Sequence, residues 1–119
     1  MKTYQQKGSN AFLIINHKTL KKILVNNVVL LKGDVNYTTF HLQYGAIKVV
    51  PRSIKFFETF LETHGFLRVH RSFMINPNHV KTYNQDQEII TMSNGQEAQI
   101  SRRRKHTLKG VVEIGRAHV

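Results

Sequence analysis

Apolar residues come in short bursts along this chain, each cut off within about half a dozen positions by turn formers, and that rhythm restricts the fold most. "AFLIIN" meets a turn at "HKT"; "LKKILV" meets a break at Asn26 and Asn27; "VVLL" then runs into "KGDVN". "YTTFHLQ" alternates as a half-buried strand requires, Tyr44 and Gly45 turn the chain, and "AIKVV" returns it as the second arm of a hairpin. Later, "FLRVH", "HVKTYN", "EIITM" and "EAQI" are separated by "NPN", "NQDQ" and "SNG". β-Branched content and close spacing predict antiparallel strands, the first of them as a meander.

One segment breaks the rhythm. Pro51 ends the strand character, and in "RSIKFFETFLETHG" the residues Ile54, Phe57, Phe60 and Leu61 fall on one face at helical spacing. Ser53 is placed to cap the start and Gly65 to end the segment in a left-handed conformation, which predicts an amphipathic helix from about 52 to 63. The architecture expected is mostly β, with short antiparallel sheets and one intervening helix.

A chain of 119 residues suits one domain. Residues 11–114 form it in this reading, behind a polar lead-in at 1–10 read as disordered. Near the end of "SRRRKHTLKGVVEIG", the stripe Leu108, Val111 and Val112 suits either a final helical turn or an extended tail. The closing "GRAHV", residues 115–119, fits neither pattern and is set apart as a candidate cloning remnant.

Charge narrows the partners. Eighteen Lys and Arg against seven Asp and Glu give +11 at neutral pH, a field that favours a polyanion, nucleic acid before an anionic membrane surface. The absence of cysteine excludes disulfides, thiolate zinc sites and cysteine nucleophiles, and agrees with a reducing cytoplasm. No apolar run approaches a bilayer span, and "MKTYQQKGSN" lacks the apolar core of a signal peptide, so a cytoplasmic protein is expected.

Three polar clusters sit at predicted strand ends, where functional residues usually gather. In "FLRVHRSFMIN", Arg68 and His70 are two apart and would share the open face of a strand, with Arg71 and Ser72 just beyond. A Ser–His nucleophile would need an orienting carboxylate, and no Asp or Glu lies between Glu62 and Asp86. The plain alternative is a solvated basic strand end in which Ser72 and Asn76 cap local backbone. In "SRRRKH", the planar forks of Arg102, Arg103 and Arg104 suit phosphate oxygens and the acceptor edge of guanine, although such runs are often only solvated, and Ser101 could cap the segment after it. In "DVNYTT", Asn36 could pair with adenine while Tyr37 and Thr38 hydroxyls hold phosphates; Asn in a turn often serves the backbone alone. The histidines 64, 70, 79 and 106 have no metal-ligand spacing, and Gly33, Gly45, Gly65 and Gly95 are isolated, so neither a metal, a nucleotide loop nor any cofactor is expected.

At "FLRVHRSFMIN" the chain resembles the LytTR family of bacterial DNA-binding domains. Phe66, Arg68, His70, Arg71, Ser72 and Asn76 fill the family's Phe-x-Arg-x-His-Arg-Ser segment and the Asn that closes the apolar triplet after it. "VVLLKGDVNYTTFHL" upstream and "AQISRRRKHTL" downstream are similar to its other strand-and-turn elements, and "VPRSIKFFETFL" takes the place of its helix, so the likeness spans about residues 11–110. The chain departs from the pattern at Lys32 and Gly33, where members usually carry Glu and a small residue.

The resemblance implies an elongated, sandwich-like arrangement of short antiparallel sheets that grips duplex DNA with loops in successive major grooves. By position, the contacts it implies are Asn36, Tyr37 and Thr38; Arg68, His70, Arg71 and Ser72; and Arg102, Arg103 and Arg104. It implies a transcription regulator on paired direct repeats, with two copies per site, and often a receiver or sensor domain elsewhere. The rivals are a non-specific DNA or RNA binder, for which Tyr37, Tyr44 and Tyr83 would be the stacking residues, and a nuclease using His70 or His41.

Overall fold

In the computed structural model the described residues are 11–16, 18, 19 and 21–108. The expected lead-in at 1–10, the tail at 115–119 and the apolar pair Val111 and Val112 lie outside them. Ten strands are seen in the described part: β1 Phe12–Asn16, β2 Lys21–Leu24, β3 Val28–Gly33, β4 Thr38–Leu42, β5 Ile47–Val50, β6 Leu67–His70, β7 Phe73–Ile75, β8 Val80–Asn84, β9 Ile89–Met92 and β10 Glu97–Gln99. One α-helix, α1, spans Ile54–Glu62.

All pairings are antiparallel. The central sheet has the order β5-β4-β3-β7-β6, a second sheet the order β10-β9-β8, and β1 and β2 form a hairpin of their own. The opening meander therefore stops at β2: the 3-10 turn Val25–Asn27 redirects the chain, and β3 pairs with β4 and β7 instead. The short apolar piece Phe73–Ile75, which is not among the strands expected from the sequence, is a strand of its own beyond a tight turn.

β3 explains why "VVLL" reads as a solid apolar run. It is the middle strand of the central sheet and both of its faces are covered. A register irregularity between Val28 and Leu30 breaks simple alternation. Val28 and Leu31 consequently join one core with Phe40, Met74, Phe57 and Leu61, and Val29 and Leu30 join another with Ile75, Ile90 and Met92. The first core is closed by α1 and by Leu13 and Ile15 of the β1–β2 hairpin; the second is closed by the three-stranded sheet and by Leu108.

α1 buries Ile54, Phe57 and Leu61. Phe60, expected on the same face, is 38% exposed and lies against His64, ring centroids 4.8 Å apart. Ser53 takes the N-cap position without a side-chain bond, so the helix start lacks the hydroxyl cap expected of it. At the other end Gly65, at φ 90°, sets up the bonds from the Phe66 N–H to the Leu61 carbonyl and from the Gly65 N–H to the Glu62 carbonyl, a Schellman closure that only a left-handed residue allows. No helix among the described residues is long and apolar enough to cross a membrane.

Candidate nucleic-acid interface

Strand directions gather three connections at one end of the central sheet. Gly33, the last residue of β3, lies opposite Thr38, the first of β4; Lys32 lies opposite Phe73, where β7 begins; and Val50, where β5 ends, lies opposite Thr38. The β3–β4 loop, the β6–β7 turn and the β5–α1 connection therefore share that end. Two backbone bonds tighten the cluster. The Gly33 N–H donates to the Ser72 carbonyl at 2.8 Å, and the Ser101 N–H donates to the Val69 carbonyl at 2.8 Å, which brings in the arginine run after β10. Gly33 also admits α1 at close range: a Cβ there would stand 3.1 Å from the Ile54 Cβ.

The β3–β4 loop is a hairpin tip. The Asp34 N–H donates to the Tyr37 carbonyl at 2.8 Å, and the Asp34 carboxylate accepts the Val35 N–H, which leaves Val35 and Asn36 at the apex. Asn36 is exposed, Tyr37 is 52% exposed and Val35 is 80% exposed. Thr38 behaves differently from the sequence expectation. It is fully buried, and its hydroxyl donates to the Arg52 carbonyl at 2.7 Å, so this donor is spent on the β5–α1 connection.

At the β6–β7 turn the expected open face does not exist for Arg68. A bulge at Val69 shifts the register between Arg68 and His70, and Arg68 turns inward to 8% exposure. Its Nη1 meets the Glu58 carboxylate of α1 at 2.7 Å, its Nε donates to the His70 carbonyl at 2.9 Å, and its Nη2 donates to the Arg71 carbonyl. Burial pulls the guanidinium below its usual pKa and Glu58 pulls it back, and an arginine stays charged throughout. A carboxylate does therefore reach this turn, from a helix ten positions upstream of Arg68.

His70 is half-buried, with its Nδ1 accepting the Ser72 N–H at 3.0 Å and its ring edge-on to Phe73. That bond fixes the neutral tautomer and takes the nitrogen a nucleophilic serine would need, so Ser72 and His70 form no dyad. Burial, followed by Arg71, Arg104 and Arg68, holds the His70 pKa below the ordinary histidine value. Arg71 points outward and is exposed. Asn76, as expected of a local cap, accepts the Asn78 N–H; it also donates to the Val28 carbonyl, 48 residues away.

The third segment is a 3-10 helix, Arg102–Leu108. Arg102 and Arg103 are exposed, Arg104 is half-buried, and Lys105 is paired with Glu88 at 2.7 Å. Ser101 does not cap the segment with its side chain: its buried Oγ has no hydrogen-bond partner among the described residues, and it is the Ser101 carbonyl that accepts the Arg104 N–H. Between the β3–β4 tip, the start of α1 and the β6–β7 turn lies an open cleft lined by Asp34, Ser53, Lys55, Arg71 and Ser72.

Sequence reasoning missed Arg52, Lys55, Glu58 and Val35 at this end. A signal for two of them was present: Arg52 and Lys55 are cations at the start of a helix whose first turn holds no acid, the end where the helix dipole disfavours them. Among the described residues no group of three His, Asp or Glu could hold a metal.

The family model of the LytTr DNA-binding domain matches residues 18–113, most of the chain. The chain belongs to the LytTr DNA-binding domain family. As a member it is a DNA-binding domain of the transcription-regulator type, in a family that is not catalytic. Its fold is similar to the LytTr DNA-binding domain of a methyl-accepting/DNA response regulator from Bacillus cereus, with a TM-score of 0.66 at 23% identity over 77% of this chain and 86% of that one. No curated protein matches. The mostly-β fold read from the strand rhythm thus agrees with the LytTr neighbour.

Proposed function

We propose that this LytTr domain binds duplex DNA sequence-specifically, in the cytoplasm of a bacterium, by setting the β3–β4 tip and the β6–β7 turn into the major groove with the Arg102–Arg103 segment beside them. The observation that carries this reading is the convergence of three polar segments, tied by the Gly33–Ser72 and Ser101–Val69 bonds, at one end of the sheet. Arg71, Arg103 and Asn36 are the base readers in this reading, because they are exposed and carry the donor geometry that guanine and adenine edges accept. Tyr37, Ser72, Arg102, Arg52 and Lys55 hold phosphates, and the His70 Nε2–H is a further donor. Thr38 and Arg68 shape the loops from within.

Two copies bind paired direct repeats, and a receiver or sensor domain supplies the signal. The test is selection of sites from a random duplex pool at near-physiological salt, followed by titration of the winner against scrambled DNA. A recurring motif preferred by at least roughly 1,000-fold supports the proposal. Binding that enriches nothing and fades steadily with salt would leave a non-specific binder.

A further inference from the structure

Only seven carboxylates stand against eighteen Lys and Arg, yet Glu58 sits at the cationic end of the molecule, where a second carboxylate, Asp34, is spent on the Val35 N–H of the β3–β4 tip. Electrostatics alone would keep a carboxylate away from a phosphate-binding surface. Its position has another explanation in the bonds it makes.

Glu58 is on α1 and grips Nη1 of the buried Arg68 at 2.7 Å. The other arms of that guanidinium are donated to two successive carbonyls, His70 and Arg71, the residues that form the turn. Peptide carbonyls drawn inward set the planes of the adjoining peptides, which direct the Arg71 side chain and the Ser72 N–H. The bulge at Val69 supplies the extra residue that lets the backbone bend this way. Ser72 then closes the loop, its N–H on His70 Nδ1 and its carbonyl on the Gly33 N–H of the neighbouring tip. One chain of bonds thus runs from the helix through Arg68 to both DNA-facing loops.

We propose that Glu58 and Arg68 are positioning residues for base reading, the helix carboxylate fixing a buried guanidinium that holds the Arg71 turn and, through Ser72, the β3–β4 tip in their reading geometry. This rests on the specific DNA binding proposed above. Neither residue need touch DNA. A planar fork is required at position 68, since a lysine gathers its three donors on one nitrogen, where the guanidinium spreads its donors over three separated acceptors.

The experiment compares wild type, Glu58→Ala, Glu58→Gln and Arg68→Lys in the full chain, on the selected site and on scrambled duplex at one salt concentration. Amide hydrogen exchange of the free proteins is measured in parallel. Glu58→Ala is expected to lose about 10-fold on the selected site. On scrambled DNA it should bind equally well or better, because a carboxylate has left a cationic surface. The Gly33 and Ser72 amides should exchange faster while the Phe40 amide in the sheet stays protected. Arg68→Lys should show the same pattern although it keeps the charge, and Glu58→Gln should fall between, since its amide oxygen still accepts.

Tighter binding to both duplexes would reduce Glu58 to an electrostatic effect and overturn the proposal. Equal losses on both, with the Phe40 amide deprotected, would overturn it in favour of general destabilisation. Rescue by Arg68→Lys would overturn the fork argument. If wild type itself selects no site, specific binding falls, and unchanged exchange at Gly33 and Ser72 in Glu58→Ala then rejects the positioning role on its own.

Discussion

Thr38→Val separates a hydroxyl that contacts DNA from one that holds the fold. Thr38 is fully buried and donates to the Arg52 carbonyl at 2.7 Å. Losing that bond costs about 0.5–1.5 kcal/mol net. Valine puts a methyl where the hydroxyl was, which returns up to about 0.8 kcal/mol of apolar burial. Arg52 is exposed, so water can serve its carbonyl. The balance is a destabilisation of about 0–1 kcal/mol, or a urea midpoint lowered by less than about 1 M for a slope of about 1–3 kcal/mol per molar. Affinity for a selected site, measured by titration well below the unfolding midpoint, should stay within about twofold of wild type. A lost base contact would instead cost about 1–3 kcal/mol, roughly 5- to 150-fold. A loss of about 10-fold or more with an unchanged urea midpoint would refute the buried, structural assignment and restore Thr38 to the DNA surface.

Arg71→Ala and Arg103→Ala, both exposed, should each cost about 1–3 kcal/mol on a selected duplex and little on random DNA; equal losses on both would make them phosphate contacts. Asn76→Ala should destabilise by about 2–4 kcal/mol in urea, because a residue 3% exposed loses its bonds to the Val28 carbonyl and the Asn78 N–H; a change under about 0.5 kcal/mol contradicts this. Stability should also fall with acid. Burial first, then Lys32, holds His41 below the ordinary 6.5, and burial first, then Arg71, Arg104 and Arg68, does the same for His70. The unfolded chain therefore takes up protons first, so stability is full above about pH 6.5 and declines as pH drops below it toward the folded values. Urea midpoints at about pH 7.5 and 5.5 check the sign, and His70→Asn should shrink the difference.

What the sequence determined by itself was what neighbouring residues decide among themselves. Alternating "YTTFHL", the turn at Tyr44 and Gly45, the amphipathic spacing of Ile54, Phe57 and Leu61, and the left-handed stop at Gly65 depend on local sterics and burial, and they are legible without a fold. The exposed members of the candidate interface, Asn36, Arg71, Arg102 and Arg103, were legible for a similar reason: they are polar residues at strand ends. Tertiary structure decided what depends on partners far along the chain. Arg68 looks like an open-face cation until Glu58 of α1 and the bulge at Val69 turn it inward; Thr38 looks like a loop hydroxyl until the Arg52 carbonyl arrives above it. Asn76 draws its structural weight from Val28, and the three loops become one surface only through bonds such as Gly33 to Ser72. A polar side chain buried in low dielectric must find a partner, and a one-dimensional pattern does not say which chain-distant carbonyl or carboxylate will be there.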